Sequence, residues 1–421
     1  MANAFWRAMS MQYGADEARR TGLALREARP HLRLISDGET LIETPSYEEM
    51  SFRQDAWREL ARRAVEPNPF LEPEFTLSAI LHSPPASRPD IVFVWQGAGF
   101  NPRGRLIAVM AIEPAGLGLF GLSTRVGRSW RYRHSALGTP LIDRFAAARA
   151  LDALLLWSDE RRSKRRALLL QPIERSGAFF ELLVDRCAAN GFAWSAIAEY
   201  ERAILLPGQT GAQILSRARS TKHRRELARL RRRLQERGSL TAGSATTPTE
   251  IREAVERFLA LEHKGWKGRR RTDFLSSAGD SAFLRTMSRR LAAEGRCRID
   301  WLAVDGEPIA MAFLLKSGDR AYFWKTAYDE AYAQFSPGVQ LVLELIERQL
   351  ADPTIGATDS CAIANHPMID RLWPDRLDMV EVMVATEPGR LPFYARRERL
   401  RRAIGDAIKT VARAALGRKP S

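Results

Sequence analysis

Residues 323–347 read FWKTAYDEAYAQFSPGVQLVLELIE. The residues from Asp319 to Asp329 are rich in aromatic side chains, which suits a strand, and the Ser-Gly-Asp at 317–319 ahead of them suits a hairpin turn. A loop follows, and then a new segment opens on Ser336-Pro337-Gly338. Ser336 suits an N-cap, and Pro337 suits the first helical position, where a missing N–H removes no bond. Gly338 leaves the backbone of that first turn uncovered. Val339, Leu341, Leu343, Leu345 and Ile346 then supply the apolar side chains that would lay a helix, Pro337 to about Leu350, on a sheet. Two readings of the helix start stay open: a well-capped core helix, or a positive helix end presented to an anion.

The same order of elements extends outward. A meander of three strands is expected at 298–306, 307–318 and 319–329, and strands at 357–363 and 377–387 follow the helix, with a short helix around 366–373 between them. Helices are expected over 211–237, 248–265 and 279–294. The first half repeats this plan. Helices from about Ser51 and over 73–82 precede strands at 90–96, 105–114 and near 117–124. A helix over 143–160, a strand at 167–173, a helix over 177–190 and a strand around 197–206 follow. The plan recurs, with slight residue identity between the halves. LGTPLID (137–143) precedes one long helix as FSPGVQL (335–341) precedes the other. The chain is therefore divided into a poorly ordered segment 1–45, an N-terminal unit 46–207, a C-terminal unit 208–390 and a basic tail 391–421. The fold class is α/β (α+β), each unit a mixed, mainly antiparallel sheet flanked by helices.

Composition narrows the function classes. The 421 residues are 45% hydrophobic and 27% charged, which is globular and long enough for two or three domains. The most apolar run, FAAARALDALLLW (145–157), carries Arg149 and Asp152, so no transmembrane helix is expected, and the N-terminus has no secretory pattern. Cys187, Cys297 and Cys361 are far apart and lack CxxC or Cys/His spacing, so neither a disulfide framework nor a metal site is expected, and a cytoplasmic protein fits best. The formal charge is +15. Residues 217–237 hold ten Lys or Arg against two Glu. Such a run is most simply a solvated helix face; without interleaved aromatics it is a poor nucleic-acid reader, so nucleic acid is expected only as tRNA carrying a donor.

With the order of elements in place, the sequence resembles the GNAT acyltransferases, the tandem Fem-type peptidyltransferases of cell-wall synthesis, and most closely the CelD-like acetyltransferases associated with cellulose and exopolysaccharide production. The resemblance rests on ALEHKGWKGRR (260–270), the stretch 323–347 and TDSCAIANHPMIDRLWPDR (358–376), with NPFLEPEF (68–75) and LGTPLID (137–143) in the first half. It implies transfer of an acyl group from acetyl-CoA or another acyl-CoA, without a metal, to a saccharide, a lipid-linked precursor or an amine. One departure stands out. The family's Q/R-x-x-G-x-G/A loop is here Gln334-Phe335-Ser336-Pro337-Gly338-Val339, with the leading Gln but one displaced Gly. An aminoacyl-tRNA donor, as in the Fem-type relatives, therefore stays open.

Acyl transfer requires a held donor, a polarised carbonyl, a placed acceptor and an exit for its proton. Gln334, Ser336, Gly338, Val339 and Lys325 are the expected donor-binding residues. Asp359 and His366 are candidate bases, set against a structural ion pair and a solvent-exposed helix-start histidine. Tyr328 could protonate the departing thiolate, and Glu262, Trp266 and Lys267 are a candidate acceptor platform, set against a helix stop at Gly265. Cys361 reads as a packed strand cysteine. The N-terminal unit, whose LGTP loop lacks the Gln and the basic neighbourhood, is expected to be degenerate as a donor site. In the tail, Leu400, Ile404, Ile408, Val411 and Ala415 recur at helical spacing; they would dock on the body of the protein or lie loosely on an anionic membrane, at the periphery of the inner membrane. The rival reading is a non-enzymatic nucleic-acid-binding protein using 217–237.

Overall fold

The structure is a computed structural model that describes residues 31–34, 39–97, 104–114, 126–159 and 167–415. The first half runs through β1 (His31–Leu34), β2 (Thr40–Thr44), α1 (Tyr47–Phe52), α2 (Gln54–Arg62) and α3 (Pro73–His82). It continues with β3 (Asp90–Gln96), β4 (Arg105–Pro114), β5 (Val126–Ser129), β6 (Leu141–Ile142) and α4 (Ala147–Asp159). β7 (Ala167–Glu174), α5 (Ala178–Ala189) and β8 (Ala193–Leu205) close it. The second half opens with α6 (Gly211–Ala218), α7 (Thr221–Gln235), β9 (Leu240–Ala245), α8 (Pro248–Lys264), α9 (Trp266–Arg269) and α10 (Ala278–Ala293). The meander β10 (Cys297–Val304), β11 (Glu307–Ser317) and β12 (Arg320–Tyr328) leads to α11 (Pro337–Ala351), β13 (Ala357–Asp359), β14 (Asp375–Ala385) and α12 (Leu391–Ala415).

The strands form one sheet in the order β1-β2-β3-β4-β5-β7-β14-β8-β13-β12-β11-β10-β9, with β6 on β4. Among the described residues two neighbouring pairs are parallel, β5 with β7 and β12 with β13, one in each half. Between those pairs the halves exchange strands. β14 of the second half lies between β7 and β8 of the first, and β8 of the first lies between β13 and β14 of the second. The β8–β14 ladder runs from Asp375 opposite Ile204 to Ala385 opposite Ala193. A division near residue 207 therefore cuts hydrogen-bonded ladders that each half needs. The core crosses as well: Phe75 of α3 meets Phe283 of α10 and Trp324 of β12 edge-on, with ring centroids 5.1 and 6.0 Å apart.

Local chemistry accounts for most boundaries. Thr247 and Glu250 form a capping box at the start of α8, Pro248 takes its first position, and Gly265 ends it. The single helix expected over 211–237 is two: Arg219 is extended, and the Ser220 side chain accepts from His223 N to start α7. The helix expected around 366–373 is one 3-10 turn, Ile369–Arg371, bounded by Pro367 and by Pro374, which disfavours helix at the residue before it. Residues 40–44, placed by sequence in a poorly ordered segment, form β2 and pair with β3. β9 was not expected, because LTAGSA carries little apolar signal for an edge strand. The strand expected near 117–124 lies outside the described residues, as do 1–30.

The tail departs from expectation in a specific way. α12 does dock on β8 and β14, but through Leu391, Tyr394 and Ala395, which cluster with Leu169, Ile197 and Met383. The stripe expected to dock faces elsewhere: Leu400 is 60% exposed and Ile408 64%. The side chains of Val411 and Ala415 lie outside the described residues.

Candidate functional site

β12 pairs with β13 only from Arg320 to Tyr322. Beyond Tyr322 the two strands part, because β13 ends at Asp359 and the chain turns at Cys361, whose φ is +52°. Asp359 fastens that turn by accepting from Cys361 N at 2.9 Å. The result is a gap in the sheet between the ends of two parallel strands.

The expected site residues fall on two faces of this gap. α11 covers one face, where Phe323 and Leu314 pack with Leu341 and Val342. Tyr328 lies opposite Ala310 of this same face, and it is 37% exposed. A side chain begun at Gly338 would come within 3.9 Å of the Tyr328 ring and 3.7 Å of Met368 Sδ, so Tyr328, Gly338 and the segment after His366 converge at the start of α11. Ser336 does occupy the N-cap position before Pro337, but with φ +54° and ψ +54° it makes no side-chain cap. The first-turn amides of Gly338 and Val339 thus have no cap from the Ser336 side chain, and no side chain among the described residues is bonded to them. Gln334 is exposed in the 3-10 turn Glu330–Phe335.

Basic charge gathers at that end. The guanidinium groups of Arg233 and Arg237 lie 5.7 and 5.6 Å from the centre of the Phe335 ring. α7 is held there by Gln340, which donates to Leu227 O at 3.0 Å, and by the Arg231–Glu344 ion pair at 2.5 Å. The basic run at 217–237 is therefore not merely a solvated face. Part of it borders the helix start that the sequence singled out.

On the opposite face a β-bulge sets the chemistry. The β11–β12 register slips between Phe313 and Leu314, so Trp324 is supernumerary and Lys325 comes opposite Phe313. Trp324 and Lys325 then both turn toward α8, with Lys325 Nζ 5.4 Å from the Trp324 ring centre. Lys325 is half-buried and makes no ion pair among the described residues. Burial, with the nearby Lys267 ammonium, pulls its pKa down to about 8. Glu262 and Lys267 pair with each other at 2.7 Å, Glu262 also accepts from Phe274 N, and Lys267 also donates to Thr326 O at 3.0 Å. They brace the gap's wall. Trp266 is 40% exposed, beneath the Arg270 guanidinium at 5.1 Å, and its backbone N–H donates to Glu330.

The two candidate bases are both engaged. Asp359 is fully buried and forms an ion pair with Arg202, which is 1% exposed and also donates to Ala136 O at 3.0 Å. Sequence reasoning missed Arg202. The signal was present, since Tyr200, Arg202 and Ile204 share the core-facing side of a strand. His366 Nδ1 accepts from Met368 N and Ile369 N, both at 3.3 Å, which leaves the ring proton of neutral His366 on Nε2. Burial also lowers its pKa. His366 thus presents a donor rather than a vacant acceptor. The Cys361 thiol is pushed well above its usual range by burial and then by Asp359, which suits a packed cysteine rather than a thiolate. Among the described residues no three His, Cys, Asp or Glu side chains gather as a metal site.

Comparison with known proteins agrees with this geometry. Residues 221–359, which span β12, α11 and β13, match the acetyltransferase (GNAT) domain family. No curated protein matches the chain. Among solved structures, FemX is similar at 10% identity with a TM-score of 0.51, over 82% of this chain and 96% of FemX. A tandem GNAT protein from the clavulanic acid biosynthesis pathway matches at 16% identity and a TM-score of 0.40, over 82% of this chain and 98% of that one. L-PGS from Bacillus licheniformis matches at 14% and 0.41, over 71% and 86%. Residues 221–359 thus form a domain that matches the GNAT acetyltransferase family, which supports a transferase, in a chain whose fold is like that of FemX.

Proposed function

We propose that the second half transfers an acyl group from acyl-CoA, held at the start of α11, through the β12–β13 gap to an acceptor on the α8 face. The residues suit such a donor. The amides of Gly338 and Val339, with Arg233 and Arg237 around the neighbouring Phe335 ring, would hold its phosphates. The donor supplies an activated thioester carbonyl. Lys325 carries the reading: it is a half-buried cation beside the gap with no carboxylate paired to it among the described residues, so its N–H donors remain for an oxygen that gains negative charge. Asp359 is committed to Arg202, and Glu262 to Lys267, so positioning and charge stabilisation carry more of the rate than a dedicated base does. Tyr328, at the mouth on the donor face, would give its proton to the leaving thiolate, and the proton released by the acceptor would pass through solvent at the open mouth to restore the phenol, so the transfer is neutral overall. The first half supplies the acceptor side through the loop 131–139, where His134 O accepts from Trp324 Nε1 at 2.6 Å. A saccharide, a lipid-linked precursor or an amine is the acceptor class, in keeping with the CelD-like resemblance.

The arginines of α7 support a second reading, in which the donor is an aminoacyl-tRNA. Acetyl-CoA consumption with a panel of amino sugars and amines tests the first. Wild type is expected to turn over, and Lys325→Met to lose about a hundredfold or more in kcat with little change in CoA affinity. Turnover unaffected in Lys325→Met contradicts the role given to Lys325. Transfer from aminoacyl-tRNA, with none from acetyl-CoA, replaces the first reading with the second.

A further inference from the structure

α12 has two faces, and the body of the protein covers one. Leu391, Tyr394, Ala395 and Glu398 are buried against the sheet. At roughly 100° per residue these four fall within an arc centred about 130° from Phe393, Leu400, Ile404 and Ile408. Phe393, Leu400 and Ile408 are 62%, 60% and 64% exposed, so the outward arc is apolar and open to solvent. Arg396 and Arg401 border it and Arg397 lies within it. Residues 391–408 hold five Arg against Glu398 and Asp406.

We propose that this outward face of α12 is a binding surface for an anionic phospholipid membrane, on which the protein lies without crossing it. An apolar stripe with arginines at both edges and Arg397 within it, whose long side chain can reach up to the headgroups, matches a lipid interface, where the stripe enters the acyl boundary and the guanidinium groups meet headgroup phosphates. A second copy of the chain fits poorly, because it would bring the same arginines, on a chain of formal charge +15, against each other. No helix of the described residues is long and apolar enough to span a bilayer, so attachment is interfacial. The docked face fixes α12 on the sheet, and the membrane would meet the protein in one orientation. The inference is independent of the donor and of the acceptor.

The test sediments full-length protein with vesicles of phosphatidylcholine containing about one-third phosphatidylglycerol, and with phosphatidylcholine alone. Wild type is expected to bind the anionic vesicles and to be released largely between about 0.1 and about 0.5 M salt. Leu400→Gln/Ile408→Gln is expected to bind at least about tenfold more weakly, with little change in melting temperature because both side chains are mostly exposed. Arg396→Glu is expected to weaken binding as well, without altering the apolar stripe. No binding by wild type, or equal binding by Leu400→Gln/Ile408→Gln, overturns the proposal. So does a wild-type dimer in light scattering that the same double variant converts to monomer, since the stripe would then be a self-association surface.

Discussion

Each half places a helix start beside a parallel strand pair, and the two starts are treated differently. Just ahead of α4, Asp143 is fully buried; its carboxylate accepts from Phe145 N at 2.9 Å and pairs with Arg63 at 2.9 Å. At the start of α5, Glu66 accepts from Phe179 N at 2.7 Å. In the first half a carboxylate of the chain thus fastens the turn ahead of α4, and another meets the first turn of α5. Ser129 and Gly138 also bond β7 beyond the parallel pair, to Gln171 N and Pro172 O, so little room is left between the strands. In the second half, α11 has no side-chain cap, and the helix matching α5 is reduced to the turn Ile369–Arg371. The same layout can close on itself or stay open to an outside anion. The difference lies in a few side chains rather than in the fold.

The largest effect is expected where the halves depend on each other. Arg202→Met leaves the Asp359 carboxylate buried without its counter-charge and should lose about 3–5 kcal/mol. Urea unfolding should remain one transition with an unchanged m-value, and Arg202→Met/Asp359→Leu should recover much of the loss. Two separate transitions in wild type would show that the halves fold apart, and the strand exchange would not couple them. Next, Asp143→Ala removes the buried carboxylate from the turn ahead of α4 and from Arg63, which keeps Glu59 and Leu106 O, at an expected loss of about 2 kcal/mol in the same measurement. A change below about 1 kcal/mol would mean that the first half does not rely on that carboxylate.

A smaller effect should appear in the pH dependence. Lys325 has a folded pKa of about 8, below the ordinary lysine value, so between about 8 and 10.5 the unfolded chain holds a proton the folded chain has released. Its contribution makes stability rise with pH across that window. Lys325→Met should remove this slope and raise stability at pH 7. Glu66 is the mirror case in the first half: burial raises its carboxyl to about 7, so its contribution falls as pH climbs from about 4.5 to 7, and Glu66→Gln should flatten that fall. Identical pH profiles for variant and parent would show that neither group is desolvated as the geometry implies.

Much of this was legible in the sequence. Hydrophobic period and turn residues placed the meander β10–β12 and the helix at Pro337, because these depend on neighbours along the chain. The convergence of Tyr328, Gly338 and the segment after His366 followed from their order around one parallel pair. Other features depend on partners far away in sequence. The Asp359–Arg202 pair joins residues 157 apart across exchanged strands, and no local pattern in TDSCAI announces it. The bulge that turns Lys325 toward α8 is set by the register with β11. The tail's helical spacing was legible in the sequence, but which face docks depended on the sheet it met.

The central claim, one donor site per chain at the open helix start, is tested most directly by calorimetric titration of CoA into full-length protein. A Cβ at Gly338 meets no atom of the chain closer than 3.7 Å, so Gly338→Val should leave the fold intact while crowding the free amides. The account predicts one CoA per chain, about tenfold or more weaker binding in Gly338→Val, and unchanged affinity in Tyr328→Phe, whose hydroxyl is assigned to the leaving group rather than to binding. Two CoA per chain, or equal affinity in Gly338→Val, would contradict it.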